Sequence, residues 1–437
     1  MVLCGRICMA IKKIIPFALA PADMGCRNHI LGAFRAIAGL MKQKIEPEKF
    51  IVIPDGSTSY TEVRQPLVYT RFKSYKEFKT KFFGLLDEHF RNLKQKPKVF
   101  ITVYNPTESH EPGRNADVLC RAVKEYYKEH RLGFVMTVVL SSKFYKYRYV
   151  DLINIPKHLM TFALRIRLIR NKVLRKKVLV TMGTIHNFTA ENVANRYEEL
   201  QNKMKELKKD KALGVQVKKL VAFFQKKKRV VFCLGGRVEG SEIVFDINYA
   251  QKLYSDAEKL VAAGYGIVFV NGPRTPNGVT DYLYEKSLEN PNIIFQNCKR
   301  IAQIKEDYFP SAWRIYSGPH EAEFIKQQEL GNVYPAVLGV GNTLAVHTMD
   351  SYSACETASA AIPTAVSCRG IYIDQSIRYD CTNLAQLLCP KYAVDFDDFV
   401  NMACNMKIEP KDLHPRQLSS PLKVFAETVA HRLKQLS

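Results

Sequence analysis

The chain has 437 residues, of which 47% are hydrophobic and 24% charged, a globular composition that excludes extensive disorder. That length exceeds one ordinary core, so two domains are expected. The formal net charge is +23, and the stretch from Lys143 to Arg229 holds 23 Lys and Arg against 6 Asp and Glu, an excess of +17.

Such clustering suits an anionic partner: an acidic membrane surface, a phosphorylated lipid or a nucleic acid. A set of solvated helix faces accounts for it equally well. Eleven cysteines show neither a C-x-x-C pair nor the Cys/His spacing of a zinc site, so buried thiols in a reducing compartment are expected and no metal is. No run reaches the roughly 18 to 20 apolar residues of a spanning helix, so an integral membrane protein is not expected. At the N-terminus a basic element precedes a short apolar run in the manner of a weak signal peptide. A turn and a helical pattern follow at once, which favours residues 14–20 as a first buried strand.

From there, short apolar runs alternate with helical patterns, the signature of βαβ units and a parallel sheet. Strands are predicted over 14–20, 50–53, 99–103, 134–140, 150–155 and 178–182, with helices over 28–41 and 115–130. After Thr189, a helix cap followed by acidic Glu191, a long basic helix runs on with a break near Gly214. A second series begins at Val230, with strands over 230–234, 266–270, 293–295, 314–316, 344–347 and 364–366 and helices over 249–263 and 278–288. An amphipathic helix over 421–436 closes the chain. The expected domains are residues 1–220 and 221–415, with 416–437 crossing back onto the first.

Three segments of the second series carry chemistry. In FCLGGRVEG, Gly235 and Gly236 follow a buried strand, where paired glycines let backbone N–H groups face an anion. An ordinary tight turn explains them as simply. In VNGPRTPNG, Arg274 offers a planar fork for phosphate beside Thr275, and Pro276 starts a helix; an ordinary strand-to-helix loop with a solvated Arg274 accounts for the segment equally well. The third segment, LAVHTMDSYSACETASAAIPTAV, has Asp350 and Ser351 at a turn before a small-residue helix beginning near Ser353. Glu356, three residues beyond Ser353, either completes a capping box or accepts hydrogen bonds from ribose. All three segments sit at carboxyl ends of strands, where open α/β sheets bind ligands. In the first series, Asp23 and His29 follow strand one and are candidates for a general base, against the simpler roles of helix cap and packing residue.

Together these segments resemble the ELM-type mitochondrial-fission protein family. The resemblance rests on Asp23, Gly25, Asn28 and Gly32; on Gly113 and Arg114; on Pro156 and His158; and on Gly183, His186, Thr189 and Glu191. It continues through Gly235, Gly236, Arg274 to Pro276, Asp350, Ser351, Ser353 and Ala358. The sequence departs from the family's pattern at Glu356, one place early, with Thr357 where the family has Glu. The resemblance implies a glycosyltransferase-B-like α/β fold, two Rossmann-like domains facing across a cleft. Its plant namesake is associated with recruiting a dynamin-related protein to mitochondria.

Two functional readings follow. The first is a metal-independent, nucleotide-sugar-dependent glycosyltransferase acting at a membrane surface on an anionic or lipid-linked acceptor. The second is a non-catalytic, membrane-peripheral adaptor that recruits a protein partner. In both, residues 143–229 meet anionic lipid, and the protein is cytoplasmic and docks peripherally on the membrane. Nucleic acid is the less favoured partner, since only charge and the aromatics of SKFYKYRY speak for it.

Overall fold

The computed structural model describes residues 14–19, 24–42, 50–52, 73–103, 112–140, 147–209, 213–236, 245–272, 274–301, 315–331, 333–348, 353–367, 384–406, 408–413 and 416–436. The chain divides into two compact units: residues 1–187 and 420–437 fall in one, 188–305 and 311–419 in the other.

In the first unit, β1 (Pro16–Leu19), β2 (Ile51–Val52), β3 (Val99–Val103), β4 (Met136–Leu140), β5 (Leu152–Pro156) and β6 (Val178–Thr181) form one parallel sheet in the order β2-β1-β3-β4-β5-β6. Successive strand residues point to opposite faces, and both faces are covered by helices. Val99, Ile101 and Val103 pack with Ile30, Ala33, Phe34 and Ile37 of helix α1 (Met24–Met41). On the other face, Phe17 meets Phe90 of α2 (Tyr75–Phe90) at 5.1 Å and Phe100 at 5.0 Å between ring centres, and Tyr127 of α3 (Pro112–Glu129) joins them. Two short helices, α4 (Phe162–Arg170) and α5 (Lys172–Lys177), connect β5 to β6.

The second unit begins with α6 (Ala190–Leu207), capped by Thr189, whose side chain accepts from the Asn192 N–H, and α7 (Gly214–Gln225). Strands β7 (Arg229–Leu234), β8 (Gly266–Asn271), β9 (Ile293–Gln296), β12 (Thr343–Thr348), β13 (Thr364–Ser367) and β14 (Val394–Asp395) form a second parallel sheet in the order β14-β13-β12-β7-β8-β9. Val230, Phe232 and Leu234 face α8 (Ile247–Ala262) and α9 (Asn277–Glu289), while Val231 and Cys233 face α6 and α7. Helices α10 (Glu321–Gln328) and α11 (Val333–Val337) precede β12, α12 (Ser353–Ser359) follows it, and α13 (Phe396–Asn405) follows β14.

Two expectations need correction. The first domain does not run to residue 220 but ends at Asn187. Val193, Leu200 and Met204 of α6 and Val217, Leu220 and Phe223 of α7 bury against Val231, Cys233, Val268 and Val270, so both helices belong to the second core. The strand expected over 314–316 does not extend the main sheet: β11 (Ile315–Tyr316) pairs with β10 (Arg300–Ile301) in a separate two-stranded sheet. The final helix α14 (Pro421–Leu436) returns to the first unit, burying Phe425, Val429 and Leu433 in the core that holds α1.

Candidate functional site

Counted along its own chain, the second unit's sheet has the order 6-5-4-1-2-3. The strand order reverses between β7 and β12, and such a switch point leaves a crevice at the carboxyl ends of the two strands. Gly235 and Gly236 follow β7 directly, and α12 follows β12, so sequence segments more than a hundred residues apart meet at one edge.

Among the described residues at this edge, the Gly235 and Thr275 amides are committed within the protein. The Gly235 N–H, expected to face an anion, donates to the Thr348 carbonyl at 2.9 Å and to its hydroxyl at 3.3 Å, extending the β7–β12 ladder by one residue. Gly236 is buried against the neighbouring loop: a Cβ there would stand 2.0 Å from the Arg274 carbonyl oxygen and 2.8 Å from the Thr275 nitrogen. Its lack of a side chain thus serves a close approach between two loops of the protein. Thr275, fully buried, locks the same contact. Its hydroxyl shares a proton between the carbonyls of Leu234 at 3.0 Å and Gly235 at 2.9 Å and accepts the Gly272 N–H at 3.0 Å. The Thr275 N–H donates to Gly272 at 3.1 Å. Arg274, the residue before Thr275, is partly exposed.

Beneath the loop lies a polar cluster that the sequence reading missed. Lys299, with no solvent exposure, donates from Nζ to the Thr275 carbonyl at 2.7 Å and to Asn277 Oδ1 at 2.6 Å. Burial pushes this ammonium group down from 10.5 to about 8, because removing the charge from water disfavours the protonated form. Asn271 Nδ2 donates to Asn297 Oδ1 at 2.7 Å, and Asn271 Oδ1 accepts the Cys298 N–H at 2.6 Å. The available signal was that two apolar strands, GIVFVN and IIFQN, both end on buried amides. His347, buried at the end of β12, is the other missed residue: Nδ1 lies 2.7 Å from Ser353 Oγ and Nε2 lies 2.9 Å from Thr357 Oγ1. It ties the start of α12 to the strand before it. Glu356 is buried on the same helix, and Asp350 and Ser351 lie outside the described residues.

In the first unit, Asp23 also lies outside the described residues. His29 is buried on α1, and its Nδ1 donates to the Ile185 carbonyl in the loop after β6. Three residues on, a Cβ at Gly32 would stand 2.2 Å from the His186 carbonyl carbon. His29, expected as a candidate base, is therefore first a staple between helix and loop.

Residues 111–302 match the family model described as Mitochondrial fission ELM1. The match covers 192 of the 437 residues. The matched segment carries Gly183, His186, Gly235, Gly236, Arg274, Thr275 and Lys299, whereas Asp23, His29, Ser353 and Glu356 stand outside it. No curated protein matches the sequence. Among solved structures, the chain is similar to UDP-GlcNAc 2-epimerase from Neisseria meningitidis bound to UDP-GlcNAc, at 10% identity and a TM-score of 0.44, covering 97% of this chain and 99% of that one. It is also similar to Acinetobacter baumannii MurG, at 9% and 0.38 over 97% and 99%. A trehalose 6-phosphate synthase from Burkholderia multivorans matches at 9% and 0.39 over 98% and 99%.

Proposed function

We propose that the protein is glycosyltransferase-like and takes a nucleotide sugar at the carboxyl edge of its second unit. One observation carries the reading: the strand order reverses between β7 and β12, and the Gly235–Gly236 turn, the Arg274–Thr275 loop and the start of α12 all border that point. The Gly235 and Thr275 amides are committed within the protein, so Arg274 and the start of α12 are the groups left to meet the diphosphate among the described residues. Arg274 is partly exposed and offers two parallel donors to phosphate. It would stabilise charge developing on the leaving nucleotide, the main task of a metal-independent site. The buried Lys299 adds positive potential behind the loop while it holds Arg274's neighbours in place. An anionic or lipid-linked acceptor suits the cationic first half of the chain, where Asp23 and His29 are the candidate bases for its hydroxyl.

Calorimetry on the full chain with uridine, guanosine and adenosine diphosphates tests the reading. Saturable binding of one of them, weakened by Arg274→Gln, is expected. If none binds, the donor site does not exist. Binding without release of diphosphate from any matching sugar nucleotide favours the adaptor reading over transfer.

A further inference from the structure

The connection between β5 and β6 presents an unusual surface in the first unit. Thr161 caps α4 by accepting the Leu164 N–H, and Asn171 ends α4 and caps α5 by accepting the Leu174 N–H. Leu168 and Leu174 anchor the pair inward and are buried. Facing water instead are Phe162, Ile169 and Val173, at 72%, 70% and 64% exposure. Phe162, Ile166 and Ile169 follow the i, i+4, i+7 spacing that aligns side chains along one helical face. An amphipathic helix normally turns such a stripe toward its core; here its two ends, Phe162 and Ile169, are exposed and Ile166 between them is half-buried.

Cations surround it. Arg165, Arg170, Lys172, Arg175 and Lys176 are all exposed and form no salt bridge among the described residues. No Asp or Glu occurs between Asp151 and Glu191, so the sequence supplies no local counter-charge. An open depression of about 720 Å³ lies between the helices, lined by Ile166, Arg167, Arg170, Lys172 and Val173.

We propose that α4 and α5 form a docking surface for an anionic lipid bilayer, with the cations on the headgroups and Phe162, Ile169 and Val173 dipping into the acyl boundary. Charge complementarity selects an anionic surface, and the aliphatic side chains select a lipid one. A single-stranded nucleic acid would call for a run of aromatic platforms, whereas Phe162 is the one aromatic among these three exposed apolar side chains, and Ile169 and Val173 cannot stack on bases. A helix pair with an apolar stripe rimmed by Arg and Lys has the character of an interfacial segment, which lies on a membrane without crossing it. The surface is independent of the nucleotide reading, since it involves no residue of the second unit.

The full chain is sedimented with vesicles of phosphatidylcholine, alone or mixed with phosphatidylserine. It should partition only onto the mixed vesicles. Each neutralised cation should lower the partition coefficient about fivefold, so R165A/R170A/R175A/K176A should lose at least about a hundredfold. F162S/I169S/V173S should keep attraction at low salt but lose the binding that survives high salt in the parent, because only apolar insertion resists screening. All seven side chains are exposed, and unchanged thermal melting confirms that each variant folds. Equal binding to neutral vesicles, unaltered binding by the cation variant, or failure on vesicles with retention of single-stranded oligonucleotide would each overturn the assignment.

Discussion

Lys299 Nζ stands 2.7 Å from the carbonyl oxygen of Thr275, and no part of the lysine reaches solvent. A buried ammonium group thereby supports the loop that presents Arg274, at an electrostatic cost that depends on pH. Lys299 gives up its proton near pH 8 in the folded protein, against 10.5 ordinarily. Between those values the unfolded chain binds more protons, so folding gains stability as pH rises; below them both states are charged and the penalty is carried in full. From about pH 7 to about pH 10 the wild type should gain about 2.5 kcal/mol relative to Lys299→Met. Urea unfolding of both proteins across that range measures it, and parallel pH profiles would refute the burial of a charge.

Thr275 joins β7 to the loop after β8 through a hydroxyl that no solvent replaces. Thr275→Val keeps the shape and leaves the Gly272 amide and the carbonyls of Leu234 and Gly235 short of a partner. A loss of about 2 to 3 kcal/mol is expected. Thr275→Ser retains the hydroxyl and should cost about 1 kcal/mol for the missing methyl group. Similar losses from the two variants would mean that packing, not hydrogen bonding, holds the loops together.

Two glycines on α1 should respond in opposite directions. At Gly32 a Cβ would collide with the His186 backbone at 2.2 Å, so Gly32→Ala must push helix and loop apart and should destabilise by about 2 to 3 kcal/mol. At Gly39 nothing lies within 4 Å, so Gly39→Ala should stabilise the helix by roughly 0.5 to 1 kcal/mol. Thermal unfolding of the pair checks the close contact between α1 and the loop after β6, and a harmless Gly32→Ala would contradict it.

Arg274 is partly exposed, so its side chain can be changed without opening the core. Arg274→Gln should leave the melting temperature within a degree or so and weaken binding of a nucleoside diphosphate about tenfold or more, the usual strength of a charge-assisted contact. Unchanged affinity by calorimetry would remove Arg274 from the site.

Much of this architecture was legible in the residues themselves. The run from Val99 to Val103 is short, apolar and bounded by breakers, and the expected strand coincides with β3. Thr189 before an amphipathic pattern marked the start of α6, since a side-chain oxygen must satisfy the first N–H groups of a helix. Local rules sufficed because each depends on neighbours within a few positions. Roles at the candidate site were less accessible. Gly235 and Gly236 looked like an anion cradle, yet one amide completes a ladder and the other glycine admits the Arg274 carbonyl, contacts made across about 40 and 110 residues of chain.

By itself, then, the sequence determined the two series of alternating strands and helices and the cationic stretch between them, because periodicity and charge are carried by each short segment. Only the tertiary structure decided that α6 and α7 belong to the second core, that Lys299 lies beneath the Arg274 loop, and that Phe162, Ile169 and Val173 face water. The physical reason is that an amphipathic helix specifies a face to bury but not the partner that buries it, and a polar residue specifies a need for hydrogen bonds but not the groups that supply them.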